Sequence, residues 1–153
     1  LSKRLNVKKY VTGFLFSKDS THVVLIKKLN PTWQEGLLNG VGGKIEKNEL
    51  SCDAMAREFE EETGVTITRD QWTCYAKIYR PNYYELDVYY AHSDLAYEVK
   101  TVEKEEVCLV ETSKIPDRIV PNLKWLIPLA LDNQIDFSTP IVINEISQER
   151  IQA

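Results

Sequence analysis

The stretch "AREFEEETGV", residues 56–65, places four glutamates in five consecutive positions: Glu58, Glu60, Glu61 and Glu62. On a helix, residues three and four apart share a face. Glu58 therefore meets Glu61 and Glu62, whereas Glu60 is turned roughly 160° from Glu58 and points elsewhere. Three carboxylates converging at ~5–6 Å repel one another unless a cation sits among them. A solvated acidic face usually carries Lys or Arg at the i+4 positions. Here Arg57, four residues before Glu61, is the available partner, and no lysine lies between Lys47 and Lys77. A carboxylate face so short of counter-charge favours a hard divalent cation, above all Mg²⁺ or Mn²⁺.

The flanks say where this helix starts and stops. Ser51 is placed to cap the N-terminus, Gly64 to end the helix in the left-handed conformation, and Cys52, Met55 and Phe59 recur at the spacing of a buried stripe. Upstream, "NGVGGKIEKNE" (39–49) is a glycine turn whose backbone can approach a ligand closely, and it ends in a further carboxylate, Glu49. Before it, "YVTGFLF" (10–16) and "HVVLIKK" (22–28) read as a β-hairpin around the turn cluster "SKDST", and residues 29–42 read as a loop interrupted by a short strand. Beyond the glutamates, strands are predicted at about 72–80, 84–92 and 106–111, then a helix near 122–133 with Trp125, Leu126, Leu129 and Ala130 facing inward. Pro128 demands a kink or a late start in that helix, and "IVINEI" (141–146) reads as an edge strand. No repeat, linker or low-complexity tract divides the 153 residues, which are expected to form one domain with a mixed β-sheet sandwiched between helices.

Taken together, Gly43, five residues, Glu49, seven residues, and then Arg57-Glu58-Phe59-Glu60-Glu61-Glu62-Thr63-Gly64-Val65 match the Nudix box at every specified position. Phe59 stands where that family more often has an aliphatic residue. "WQEGLLNGVGGK" before the box and "IVPNLKWLIPLAL" after it resemble the MutT-type branch, which clears oxidised purine nucleoside triphosphates. The resemblance implies an α/β/α sandwich and hydrolysis of a nucleoside diphosphate linked to another group. It also implies metal held by Glu58, Glu61 and Glu62, with the Gly43 carbonyl completing the set. Arg57 would hold the glutamates by ion pairing. Lys44 stands where it can reach phosphate or simply face solvent. Glu58 is the MutT-like choice of general base, with Glu61 or an acid outside the box as alternatives. Several relatives supply a further metal ligand or base from the region matching "VEKEEV" (102–107), where Glu103 is the first choice, then Glu105 and Glu106.

Composition narrows the partners. A net charge of −4 and a pI near 5.3 argue against a nucleic-acid polymer or an anionic membrane, and leave a small nucleotide as the expected substrate. Cys52, Cys74 and Cys108 are widely spaced, with no CxxC pair, which suits reduced thiols in a cytoplasmic protein. His22 and His92 are isolated, so any metal must be held by oxygen. The N-terminal "LSKRLNVKKY" lacks the apolar core of a signal peptide, and the longest apolar run, "WLIPLAL" (125–131), is too short to span a bilayer. Monomer and homodimer both remain open.

Substrate identity rests on fewer residues. An Asn amide can read a purine edge with one acceptor and paired donors. The resemblance gives this role to Asn122, whose competing reading is a helix cap; Asn39 before the glycine turn reads as a base contact or as a turn residue. Against a triphosphate stands Pro81 in "YRPNYYE", since some ADP-ribose-hydrolysing relatives carry a proline at about that distance, and Tyr83 and Tyr84 offer rings for an adenine. ADP-ribose or dinucleotide hydrolysis is thus the alternative substrate class. A non-catalytic nucleotide-sensing domain is the alternative of another kind, and the intact box speaks against it.

Overall fold

The computed structural model describes residues 7–146. The basic start of the chain, 1–6, lies outside the described residues. Eight strands form one mixed sheet: β1 (Lys8–Phe16), β2 (His22–Lys27), β3 (Leu38–Asn39), β4 (Val41–Lys44), β5 (Thr73–Arg80), β6 (Tyr84–His92), β7 (Val107–Glu111) and β8 (Ile141–Asn144). Two helices accompany it, α1 (Ser51–Thr63) and α2 (Leu123–Ala130).

β1 organises the sheet. It runs parallel to β6 along its whole length, from Lys8 opposite Tyr84 to Phe16 opposite His92. On its other edge it pairs with β2 only at Phe16 and Val23, after which the two strands diverge. The glycine-rich turn fills the opening: β4 pairs antiparallel with β1 over Tyr10–Gly13, and β3 pairs with β2 at Ile26 and Lys27. The single short strand expected here is therefore two. β7 covers the outer edge of β2, and β5 and β8 extend the sheet beyond β6.

Successive strand side chains alternate between faces, and both faces are covered. Val11, Leu15, Val24 and Ile26 pack under α1 with Ala54, Met55 and Phe59, whereas Phe14, Phe16, Val23 and Leu25 pack under α2 with Leu123, Leu126 and Ile127. This double burial explains why the first two strands read as near-continuous apolar runs. Phe59, where the Nudix box usually has an aliphatic side chain, is fully buried with its ring 5.3 Å from that of Trp72, edge to face. Truncating it to Ala would cost ~3–5 kcal/mol of stability.

Several expectations need correction. Ser51 does not cap α1: Leu50 stands at the cap without a side-chain bond, and the Ser51 hydroxyl instead donates to Asp87 at 2.6 Å and pairs with the Tyr89 hydroxyl at 2.7 Å. Gly64 does end the helix at φ 75°, its N–H bonded to the Glu60 carbonyl. The second helix is shorter than 122–133, and its buried face is Leu123, Leu126, Ile127 and Ala130. Trp125, expected inward, is 42% exposed, and Leu129 is half-buried. That phase is fixed by Leu123 entering the core and by the buried Tyr75 hydroxyl donating to the Leu126 carbonyl at 2.7 Å. Pro128 then falls on the exposed side, where its ring disturbs no packing. None of the described helices is long and apolar enough to cross a membrane.

Candidate active site

Arg57 is the hub of the glutamate face. Its Nε and Nη2 grip both oxygens of Glu49 at 2.7 and 2.9 Å, and Nη1 reaches Glu58 at 3.0 Å and Glu61 at 3.3 Å. Nη2 also donates to the Lys44 carbonyl at 3.1 Å, so one guanidinium ties α1 to the end of β4. This forked pairing holds the Glu49 carboxyl below the usual carboxylate range and the guanidinium above its own. Glu49 faces Arg57 and does not line the main cleft, and Lys44 is exposed and outside it as well.

Glu58 projects onto the glycine strand. A Cβ added to Gly43 would stand 1.7 Å from the Glu58 Oε2, so the close approach requires glycine there. Burial raises the Glu58 pKa, Arg57 counters it, and Glu61 and Glu103 add to the rise. Burial likewise pushes Glu62 up to about 7, reinforced by Glu105 and Glu103 and relieved in part by Lys28. Glu60 is exposed, as helical phase requires. Of the three acids in the 102–107 segment, Glu103 and Glu106 are exposed, whereas Glu105 accepts from the Lys28 ammonium at 3.1 Å and from the Leu29 N–H at 2.7 Å.

Among the described residues, no three Asp, Glu, His or Cys side chains stand together as a preformed metal cage. The donor set nevertheless fits a hard cation. Glu58 and Glu62 are half-buried, burial and neighbouring carboxylates raise the pKa of both, and the backbone of Gly43 lies against the Glu58 carboxylate.

From Gly43 a cleft of about 660 Å³ extends across the α2 face of the sheet. Asn39, Gly43, Tyr83 and Asn122, all expected at the site, line it, and so do Lys28, Trp33 and Arg80, which the sequence did not single out. Asn39 is already engaged: its amide donates to Gln34 at 3.3 Å and its oxygen accepts from the Gly40 N–H at 2.8 Å, a turn-fixing role. Asn122 makes no side-chain capping bond, which corrects the capping alternative. Lys28 follows an apolar strand and Arg80 precedes a proline, positions at which a basic residue ordinarily faces solvent. No pattern in the chain marks them.

Glu58, Glu61 and Glu62 do not themselves line this cleft; Glu58 meets its edge through Gly43, which does. The chain belongs to the Nudix family, whose NUDIX domain model matches residues 8–129. Its fold is similar to that of a MutT from the pair Aliivibrio salmonicida and Vibrio cholerae (22% identity, 81% of this chain and 99% of that one, TM-score 0.63). It is also similar to a Nudix hydrolase from Nitrosomonas europaea (24% identity, 92% and 80% coverage, TM-score 0.64). A third similar structure is a bifunctional NMN adenylyltransferase/ADP-ribose pyrophosphatase from Francisella tularensis, complexed with AMP and Mn, at 18% identity over 82% of this chain and 41% of that one, TM-score 0.63. A search of curated proteins finds no match to the sequence. The protein is a Nudix pyrophosphohydrolase, of a family that acts on a nucleoside diphosphate linked to a further group and generally depends on a divalent metal.

Proposed function

We propose that the substrate is a purine nucleoside triphosphate, normal or oxidised at the base as in 8-oxo-dGTP, cleaved to the monophosphate and pyrophosphate with Mg²⁺ or Mn²⁺. The observation that carries this reading is the junction at Gly43, where the Glu58 carboxylate abuts one end of a cleft whose other parts are aromatic and amide-bearing. Phosphates belong at the first end and a base at the second. Glu58, Glu61 and Glu62, with the Gly43 carbonyl, would hold the cation, and Glu103 or Glu105 lies near enough in charge to add to it. When bound, a divalent cation offsets the negative charge of the diphosphate as water attacks. Glu58, kept half-buried and raised in pKa, takes the proton of that water. Arg57 positions Glu58 and Glu61 without meeting the substrate, because Glu49 and the Lys44 carbonyl occupy its remaining donors. Lys28 lines the cleft and, paired with Glu105 at 3.1 Å, would add positive charge to its phosphate end.

A second reading, ADP-ribose hydrolysis, is favoured by Tyr83, which is 44% exposed along the cleft and offers a ring to an adenine, and by the likeness to the Francisella enzyme. One screen separates the two. Nucleoside triphosphates, ADP-ribose and dinucleotides are incubated with Mg²⁺ or Mn²⁺, and phosphate and pyrophosphate release are scored. Pyrophosphate release that is fastest from a purine triphosphate is expected. Faster turnover of ADP-ribose than of every triphosphate transfers the function to the second reading.

A further inference from the structure

Lys28 and Arg80 are the cations that line the main cleft. Arg80 is 6% exposed and paired with Glu145, whereas the Lys28 side chain is 21% exposed. An ammonium has three donors. One of them meets Glu105 Oε1 at 3.1 Å, and no other acceptor among the described residues takes the remaining two. Lys28 is therefore held and still able to donate.

The group that holds it stands apart from its neighbours. Glu103 and Glu106 are exposed, but the Glu105 side chain is only 15% exposed, and both its oxygens are engaged. Oε1 accepts from the Lys28 ammonium and Oε2 from the Leu29 N–H at 2.7 Å. Backbone bonds fix the same place. The Lys27 N–H donates to the Glu106 carbonyl at 2.8 Å, the Lys28 N–H to the Leu37 carbonyl at 2.8 Å, and the Gly36 N–H to the Lys28 carbonyl at 2.9 Å. Lys28 is thus the root of the loop whose Asn30, Pro31, Trp33 and Gln34 also line the cleft, and Glu105 pins that root.

The pair stands near the carboxylate end. Burial is the main cause of the raised Glu62 pKa, Glu105 and Glu103 add to it and Lys28 opposes it, so both charges are felt at the glutamate face. Arg57 has no donor to offer a ligand there, because Glu49, Glu58, Glu61 and the Lys44 carbonyl take its fork. A lysine free in water gives up rotamer freedom when it meets an anion, and one already held has lost that freedom beforehand.

Resting on the reading of this cleft as a nucleotide site, for either substrate class, we propose that Glu105 is a positioning residue that holds the Lys28 ammonium ready for a phosphate oxygen of the nucleotide. Glu105 then serves the lysine and not the metal, and the exposed Glu103 is the acid of its segment left to meet a cation.

The test is a double-mutant cycle read by binding, apart from the identity of the scissile bond. The probes are adenosine and guanosine 5′-(α,β-methylene)diphosphates, in which carbon blocks cleavage, and the two parent nucleosides. They are titrated calorimetrically, in saturating Mg²⁺, into the unaltered chain, Lys28→Met, Glu105→Gln and the double variant. Lys28→Met should weaken the diphosphates about tenfold and the nucleosides by less than about twofold. In the Glu105→Gln background the same lysine change should cost the diphosphates no more than about threefold, because an unheld lysine contributes less. Comparing the two penalties cancels the direct effect of the Glu105 charge on an anion. A lysine penalty that does not shrink without Glu105 would overturn the positioning role and leave the nucleotide reading standing. No diphosphate binding by the folded wild type would overturn both. Glu105→Gln should also weaken Mg²⁺ binding to the nucleotide-free chain by less than about threefold; a greater loss would make Glu105 a metal ligand and overturn the assignment. Should Glu105→Gln fail to fold, Glu105→Asp, one methylene too short to bond both partners, enters the cycle with the same expectation. A shrinking penalty with no turnover of any triphosphate or of ADP-ribose would sink the proposed reaction alone.

Discussion

The two ends of the cleft are built on different principles. At the Gly43 end, the functional groups come from 20 or so consecutive residues, and one cation, Arg57, binds Glu49, Glu58 and Glu61 in a single network. At the far end, Trp33, Arg80, Tyr83 and Asn122 arrive from the β2–β3 loop, the end of β5, the β5–β6 turn and the start of α2. The first end is a local device that tolerates little change. The second is an assembly whose members can be exchanged without disturbing the first, which is how one fold serves many nucleotides. Chemistry should therefore fail with the helix, and selectivity should fail with the distal wall.

The sharpest way to break that division is Glu62→Gln. The change is isosteric and removes one half-buried carboxylate, so the fold should survive while turnover falls roughly a hundredfold or more, the scale of losing a group that stabilises developing charge. Steady-state rates with saturating Mg²⁺, alongside a melting curve, report both quantities. Full activity in this variant would detach the glutamate face from catalysis. Asn122→Ala probes the opposite end and should cost ~1–3 kcal/mol of discrimination between 8-oxo-dGTP and a pyrimidine triphosphate, with metal dependence unaltered. Because Asn122 makes no capping bond, its melting temperature should stay within about a degree of wild type. A drop in stability with unchanged selectivity would return Asn122 to a structural role.

Metal linkage sharpens the comparison from the stability side. Glu62 is held at about 7 in the folded chain against an ordinary 4.5. A carboxyl whose pKa is raised by folding favours the folded state below its unfolded value, and that contribution is lost as pH rises from about 4.5 through about 7. In EDTA, the melting temperature should fall across this window, and Glu62→Gln should flatten the fall. Mg²⁺ at a hundredfold excess over its Kd adds ~2.7 kcal/mol, or roughly 5–10 °C for a chain of this length. Identical pH profiles with and without Mg²⁺ would contradict a cation among these carboxylates.

How far the sequence reveals the molecule follows the same division. α1 was readable because its spacing, its terminal Gly64 and its unbalanced charge are local properties, and local rules suffice for them. The same holds for the double-faced strands β1 and β2. Helix α2 was found with Leu126 and Ala130 inward as expected, but Trp125 stands outside and Leu123 inside, because contact with the sheet, not a local pattern, selects Leu123 for the interior. Ser51 was misread for a related reason: its hydroxyl meets Asp87 and Tyr89 across more than 30 residues of chain. Arg80 and Lys28 were invisible because their burial depends on strand register, and no residue pattern near them differs from that of a surface position.

The smallest expected effect tests the helical phase on which the whole comparison rests. Glu60 stands among three glutamates assigned to the site, yet it is exposed and absent from the Arg57 network, and only its backbone carbonyl has a structural task, accepting from the Gly64 N–H at 2.9 Å. Glu60→Ala keeps that carbonyl and places a better helix former in the last turn, so stability should change by no more than about 0.5 kcal/mol. Turnover should remain within about twofold of wild type, whereas Glu61→Ala, one residue away, removes a carboxylate that Arg57 holds at 3.3 Å and should lose activity with Glu62→Gln. Measured side by side under saturating Mg²⁺, equal losses for Glu60→Ala and Glu61→Ala would mean that net charge on the helix, not its geometry, governs the reaction. A silent Glu60→Ala beside a damaged Glu61→Ala ties activity to the one face that meets Gly43.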